Sequence, residues 1–309
     1  MNSMASPSGH SVSHQVTKGS SSNLAIAFFP LPREKRSAMT ALYAFCRCVD
    51  DIADNVDVAI EERKNLLKEW QQNIRSACAD ASFSSHLPVI AELTPWIHRY
   101  QLSFEDFNDL IEGMEMDLHL NRYSTWKDLE AYCYRVASTV GLLSIRIFGY
   151  QVPSARRYAF HLGQALQLTN ILRDIRDDAM LQRIYLPLEL LSQLDISETE
   201  VIECRIPKAK LADLVEKMSA VASKHYQMAR EALSPLDRPN MIASEMMANL
   251  YWRLLKKIKS QPQDLLRPEK IRLSKVTKIS VIMQSVIFHR WSLRNLSYGS
   301  FGDLEPSKR

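Results

Sequence analysis

The stretch NILRDIRDD at residues 170–178 decides the fold, together with RCVDDIAD at residues 47–54. Both stretches lie in apolar, helix-forming sequence, and each contains two aspartates four positions apart. Carboxylates with this spacing lie on one face of a helix, where like charges destabilise the isolated helix. We therefore expect divalent cations bound to a polyphosphate to offset the repulsion. The two pairs are Asp50 with Asp54 and Asp174 with Asp178.

Each pair continues a polar stripe along a helix that is apolar elsewhere, which predicts that both stripes line an internal polar cavity. The first stripe is Tyr43, Arg47, Asp50 and Asp54. The second stripe is Gln167, Asn170, Asp174 and Asp178. Mg²⁺ takes oxygen ligands and is usually held by one or two carboxylates, with phosphate and water supplying the rest. Two opposed stripes, each with a flanking arginine, therefore predict a clamp that ionises an allylic diphosphate.

Composition favours helices over sheets. The 309 residues include only 8 glycines, against an average of about 7% of positions. Few glycines mean few tight turns and phosphate-cradling loops, and neither G-x-G-x-x-G nor G-x-x-x-x-G-K-[ST] occurs. A net charge of +4 is weak evidence for a nucleic-acid partner, so we expect none. We predict an all-α, single-domain helical bundle with a central cavity.

The domain and its location follow from the same sequence. Residues 1–20 carry no apolar signal-peptide core, so we expect a flexible tail there, a synthase domain over 21–295 and a C-terminal tail over 296–309. The five cysteines do not group as zinc ligands, which is typical of reduced thiols. No apolar run reaches the roughly 18–20 residues that span a bilayer. We therefore expect a cytoplasmic protein; the sequence does not determine its oligomeric state.

Helix boundaries are marked by local signals. Thr125 to Asp128 and Ser197 to Glu200 predict capping boxes. The first predicts one helix through Gly149, and Pro153 precedes the helix that carries the second acidic stretch. No segment alternates with the period of a strand.

Five motifs resemble those of the squalene/phytoene synthase family, the head-to-head prenyl synthases. Residues 43–54 resemble the first aspartate motif of that family, and residues 167–178 resemble the second. The segments 113–117, 132–141 and 183–187 resemble three further blocks. The resemblance extends over nearly all of the chain and looks closest to bacterial presqualene diphosphate synthases of the hopanoid pathway.

The resemblance implies a class I terpenoid synthase fold and a Mg²⁺-dependent condensation of two farnesyl diphosphates to presqualene diphosphate. The metal ligands that it implies are Asp50, Asp54, Asn170, Asp174 and Asp178. The residues that it implies for substrate binding are Ser21, Tyr43, Arg47, Gln167, Asn170, Arg173 and Tyr185. Tyr132 is implied in removal of a proton, although an ordinary core position is an equal alternative.

The product remains open at this stage. Ser138 stands where the family usually has glycine, and a hydroxyl beside the prenyl channel leaves chain length undetermined. Phytoene synthesis from geranylgeranyl diphosphate is therefore the alternative. NADPH is needed only if the reductive step to squalene follows. A non-catalytic assembly factor is a remote alternative, because such a protein is expected to lose the aspartates.

The last part of the chain is basic, with apolar residues interleaved from Ile279 to Phe288. We expect a solvated basic face on a core helix. Peripheral contact with anionic lipid is the alternative.

Overall fold

The computed structural model describes residues 12–19, 27–290 and Tyr298. Within these residues the chain is a succession of helices, with one isolated parallel β-bridge between Arg122 and Ile184 and no strand. The predicted all-α fold is confirmed. The α-helices are α1 Val12–Gly19, α2 Arg33–Asp54, α3 Ile60–Ala79, α4 Pro88–Tyr100, α5 Phe104–Met116, α6 Trp126–Cys133, α7 Thr139–Phe148, α8 Ser154–Met180, α9 Leu188–Gln193, α10 Glu198–Ile202, α11 Lys208–Ala232, α12 Ile242–Ser260 and α13 Lys275–Arg290.

Helix α8 is the centre of the bundle and carries the second aspartate stripe. It packs against α7, α11 and α12 and against the five-residue π-helix Tyr134–Ser138. Its buried side chains occur all around its circumference in the first half, as expected for a helix enclosed by others. The Thr169 and Tyr226 hydroxyls lie 3.2 Å apart between α8 and α11. The stripe is therefore held on a rigid, enclosed support.

The π-helix interrupts what the sequence predicted as one helix through Gly149. Gly113 on α5 and Gly163 on α8 leave room for it. A Cβ at Gly163 would lie 2.5 Å from the Cα of Ser138, and one at Gly113 would lie 2.8 Å from the Cβ of Arg135. The widened turn therefore depends on close backbone approach by two neighbouring helices, which no local signal in its own sequence predicts.

Part of the expected N-terminal tail is helical. The backbone N–H groups of Val12 and Ser13 donate to the two carboxylate oxygens of Glu92 at 2.8 and 3.1 Å. These bonds cap α1 from the neighbouring α4, and α1 also packs against α2. The expectation of a flexible tail therefore does not hold for residues 12–19, because their cap comes from a distant residue. Helix α4 was not predicted either.

Near the C-terminus, Tyr298 is fully buried and its hydroxyl donates to the Glu245 carboxylate at 2.5 Å. Tyr158 donates to the same oxygen at 2.8 Å. Tyr298 lies in the segment 296–309 that we expected to be a tail, and this position is fastened to the domain. Among the described residues, no helix combines the length and apolar character needed to cross a membrane.

Candidate active site

The first aspartate stripe lies along the second half of α2. The Arg47 guanidinium contacts Asp50 at 2.7 Å and also forms an ion pair with Asp51. Burial, followed by the charge of Asp54 four residues on, raises the pKa of Asp50 to about 6. The structure therefore shows the repulsion within the pair that the spacing predicts.

The second stripe is more enclosed, and two basic side chains, Arg173 and Lys270, meet at its Asp174. Burial alone would raise the pKa of Asp174, but hydrogen bonding and charge from Arg173, followed by those from Lys270, lower it overall. Burial and the charge of Asp174 raise the pKa of Asp178 to about 8. One carboxylate of this pair is thus held ionised by its neighbours, whereas the other strongly favours its neutral form.

Arg183 connects the two stripes. Its guanidinium lies 2.8 Å from Asp54 on α2 and donates to the backbone oxygen of Asp117 at 3.4 Å. Arg183, Asp178 and Tyr185 line one small recess. Arg183 therefore lies between the end of α2 and the end of α8.

Asp117, just past the end of α5, stands between the stripes. Its negative charge raises the pKa of both Asp50 and Asp178. Burial raises its own pKa to about 6, although hydrogen bonds from Tyr185 and Tyr132 and the charge of Arg183 oppose the rise. Asp117 is a site residue that the sequence analysis did not assign; its place in the motif 113–117 was the signal available.

Tyr132 and Tyr185 are brought together on Asp117. Their hydroxyls donate to separate carboxylate oxygens at 2.9 and 2.7 Å, and their rings stack with centroids 5.1 Å apart. Tyr123 stacks against Tyr185 at 5.7 Å. Burial raises the pKa of Tyr132 well above its ordinary value. The three tyrosines therefore form an uncharged aromatic cluster, and two of them are hydrogen-bonded to the carboxylate of Asp117.

Lys270 is the second residue that the sequence analysis missed. Its amine lies 3.0 Å from Asp174 and 2.6 Å from Asp177. It comes from the loop before α13, more than ninety positions from its partners, so the sequence offered only the general basic character of that region.

The other residues that the sequence predicted for the site lie in different parts of the fold. Asn170 donates to Gln167 at 3.3 Å on α8, and Tyr43 on α2 packs edge-on against Phe28 at 6.4 Å. Ser21 lies outside the described residues. Ser138 is buried, and its hydroxyl donates to the backbone oxygen of Phe160 at 2.9 Å. The Ser138 hydroxyl therefore links the π-helix to α8. We had expected it to lie beside the prenyl channel instead.

The site fits a hard divalent cation. The side-chain oxygen of Asn170 is buried and has no hydrogen-bond partner among the described residues. It lies on the same α8 stripe as Asp174 and Asp178, and all these donors are oxygens, which Mg²⁺ prefers. No three acidic, histidine or cysteine side chains of the described chain converge tightly enough to enclose an ion by themselves. Substrate phosphate and water would complete the coordination.

Comparison with known proteins agrees with this geometry. The squalene/phytoene synthase family model matches residues 17–277. The chain is 37% identical over 262 residues to a presqualene diphosphate synthase of Rhodopseudomonas palustris, covering 83% of this chain and 90% of that one. It is 32% identical over 250 residues to a phytoene synthase of Arthrospira platensis, covering 75% and 79%.

Solved structures have the same fold. A dehydrosqualene synthase superposes with a TM-score of 0.76 at 24% identity, covering 90% of this chain and 95% of that one. A squalene synthase of Alicyclobacillus acidocaldarius gives 0.66 at 25% identity, covering 89% and 93%. The predicted family, fold and enzyme class are thereby confirmed. The chain belongs to the squalene/phytoene synthase family and is a prenyltransferase of that type.

Proposed function

We propose that the protein condenses two molecules of farnesyl diphosphate head to head and releases presqualene diphosphate. The observation that carries the proposal is the meeting of the two aspartate stripes at Arg183 and Asp117. The choice of substrate is supported by 37% identity to two presqualene diphosphate synthases over 262 and 252 residues, against 36% over a shorter 199 residues for a phytoene synthase.

The ligands proposed for Mg²⁺ are Asp50, Asp54, Asn170, Asp174 and Asp178. Bound there, Mg²⁺ would supply the positive charge that stabilises a departing diphosphate. Arg47 and Arg173 now pair with aspartates of their own stripes and would turn toward phosphate oxygens when metal takes those carboxylates. The further substrate contacts that we propose are Ser21, Tyr43, Gln167 and Tyr185.

The chemistry breaks the C1–oxygen bond of one substrate and joins that C1 to the C2=C3 double bond of the other. The rings of Tyr123 and Tyr132, both stacked on Tyr185, would offer π faces to the developing cation and exclude water. Loss of a proton then closes the cyclopropane. We assign this proton to the Tyr132 hydroxyl oxygen, whose own proton passes to Asp117 along their 2.9 Å hydrogen bond.

The reaction stops at presqualene diphosphate in this proposal, because reduction to squalene needs a hydride donor such as NADPH and the sequence carries no mark of a site for one. The second candidate is phytoene formation from geranylgeranyl diphosphate, which the identity to phytoene synthases favours. Retention of all four aspartates argues against the non-catalytic alternative.

A product assay tests the proposal. Purified protein is incubated with Mg²⁺ and either farnesyl or geranylgeranyl diphosphate, with and without NADPH, and products are identified by mass. We expect presqualene diphosphate from farnesyl diphosphate in both cases. Phytoene as the main product would support the second candidate function instead of the first. If neither substrate released diphosphate, both candidate functions would be refuted. Squalene formed with NADPH would extend the reaction by one step.

We also propose that the enzyme is cytoplasmic and contacts the membrane peripherally, since its prenyl products are lipids.

A further inference from the structure

Helix α13 exposes apolar side chains on its outer side. Val276, Ile279 and Met283 are 77%, 59% and 55% exposed. Their spacing of three and four residues places them in one stripe. Val281, on the opposite side of the helix, is buried. An apolar stripe that faces away from the core is not explained by the packing of this domain.

The charged residues of α13 itself are all basic. From Lys270 to Arg290 the sequence contains no aspartate or glutamate. The basic residues in that span are Lys270, Arg272, Lys275, Lys278 and Arg290. Lys275 and Lys278 belong to the first turn of α13 and lie along one side of the stripe. Long lysine side chains can lie along an apolar surface while their amines reach anionic groups.

The stripe belongs to a firmly supported part of the fold. Val281 packs in a cluster with Met246, Met247 and Leu250 of α12 and with Ala27. Two residues after Ala27, Phe29 is 69% exposed, and the guanidinium of Arg36 lies 5.6 Å from the centre of its ring. Exposed apolar side chains with cations beside them therefore occur on α13 and at Phe29, close in sequence to the Ala27 that packs with Val281.

We propose that Val276, Ile279, Met283, Lys275 and Lys278, together called the α13 face, dock peripherally on an anionic lipid bilayer. The apolar stripe enters the boundary between headgroups and acyl chains while the lysines pair with anionic headgroups. The charge decides for lipid over a second copy of this chain, since two copies of the α13 face would bring like charges together.

Docking here places the candidate active site close to the bilayer. The loop before α13 carries Lys270, whose amine contacts Asp174. This docking rests on the proposed function in one respect, because a product with two prenyl chains needs an apolar acceptor. The docking itself requires no substrate.

Vesicle flotation of the full-length protein without substrate tests this inference. We expect the protein to float with vesicles of phosphatidylcholine and phosphatidylglycerol, to float poorly with phosphatidylcholine alone, and to be released by high salt. The triple variant Val276→Ser, Ile279→Ser, Met283→Ser should lower the partition coefficient about 10-fold. The double variant Lys275→Glu, Lys278→Glu should lower it roughly 30-fold or more.

The matched control is Leu236→Ser with Ile60→Ser, two exposed apolar residues elsewhere on the domain, and it should float like the wild type. Circular dichroism checks that each variant is folded. A triple variant that floats like the wild type, or a wild type that does not float, overturns the proposal. Conversion of a wild-type dimer to a monomer by the triple substitution, without vesicle binding, would instead identify a contact between copies.

The test separates the two proposals. Turnover of farnesyl diphosphate in detergent should be the same for the triple variant and the wild type, because the substituted side chains contact none of the proposed ligands. A wild type that floats but forms no product would refute the proposed function and leave the docking inference standing.

Discussion

The two aspartate stripes have the same spacing but different surroundings. Asp174 on α8 is 17% exposed and contacts Lys270 in addition to Arg173. Asp50 on α2 is 39% exposed and is paired with Arg47 alone among the basic side chains described. Each stripe is paired with cations from two segments, since Arg183 reaches Asp54 of the first stripe, but the second stripe is the more enclosed. The difference teaches that the first stripe is more accessible to an incoming metal, although the aspartates of both stripes must exchange partners.

The largest expected effect comes from removing one charge from each stripe. Asp50→Asn and Asp174→Asn should each lower kcat by at least ~10³-fold, because each amide removes a carboxylate ligand from the proposed clamp. Product formation by mass spectrometry measures this, with the exposed Asp57→Asn as control. Full activity in either variant would contradict the metal-clamp assignment.

The same two variants should differ in stability. Asp174→Asn leaves Arg173 without its carboxylate and leaves Lys270 with Asp177 alone, and it should cost about 2 kcal/mol, after discounting for residual exposure. Asp50→Asn relieves repulsion from Asp54 and should leave Tm unchanged or slightly higher. Equal losses in thermal denaturation would show that the two stripes are electrostatically alike.

Binding of Mg²⁺ in the absence of substrate should strengthen about tenfold per pH unit between roughly pH 6 and 8. The pKa of Asp178 is raised to about 8, so its proton must leave before this carboxylate binds metal. Calorimetry in buffers of different ionisation enthalpy measures the released proton. Asp178→Asn should remove the slope in this range while Asp50→Asn keeps it, since the pKa of Asp50 is about 6.

The stability of the folded protein depends on pH in the opposite direction to metal binding. Because the folded-state pKa of Asp178 lies above its unfolded value of about 4, the metal-free native state binds more protons than the unfolded state between roughly pH 4 and 8. Its contribution to stability is present below that window and is lost as pH rises through it. The metal-free protein should therefore lose part of its Tm over this range. Replacing Asp178 with asparagine should reduce the loss mainly between roughly pH 6 and 8, above the pKa of about 6 of Asp50 and Asp117.

A smaller effect is expected from the extra cation of the second stripe. Lys270→Gln should strengthen substrate-free binding of Mg²⁺ about fivefold, because the amine no longer competes for Asp174 and Asp177. Lys259→Gln is the matched control, since Lys259 pairs with Glu216 at 2.8 Å on another surface. Unchanged or weaker binding in Lys270→Gln would contradict the view that this stripe is held closed.

The smallest effect concerns the support of α8 by the hydroxyl of Ser138. Ser138→Ala should lower stability by about 1 kcal/mol through loss of its hydrogen bond to Phe160. Prenyl chain length should not change, because the hydroxyl is engaged between helices. A longer or shorter product from this variant would show that the Ser138 side chain lies beside the substrate channel after all.

Local sequence predicted much of the fold because its signals act over a few residues. The capping boxes at Thr125 and Ser197 are present as predicted, and α8 begins at Ser154 after its proline. Helix α1 escaped prediction because its cap is Glu92. The π-helix escaped because the close approach of Gly163 requires a neighbouring helix.

Sequence by itself determined the two aspartate stripes, their helices and the family, since a spacing of four residues fixes which side chains share a helix face. Only the tertiary structure decided that Arg183 joins the stripes, that Asp117 stands between them with Tyr132 and Tyr185, and that Lys270 closes the second. These contacts join distant segments, and their strength depends on burial and on the charges nearby. Helical periodicity carries no information about either.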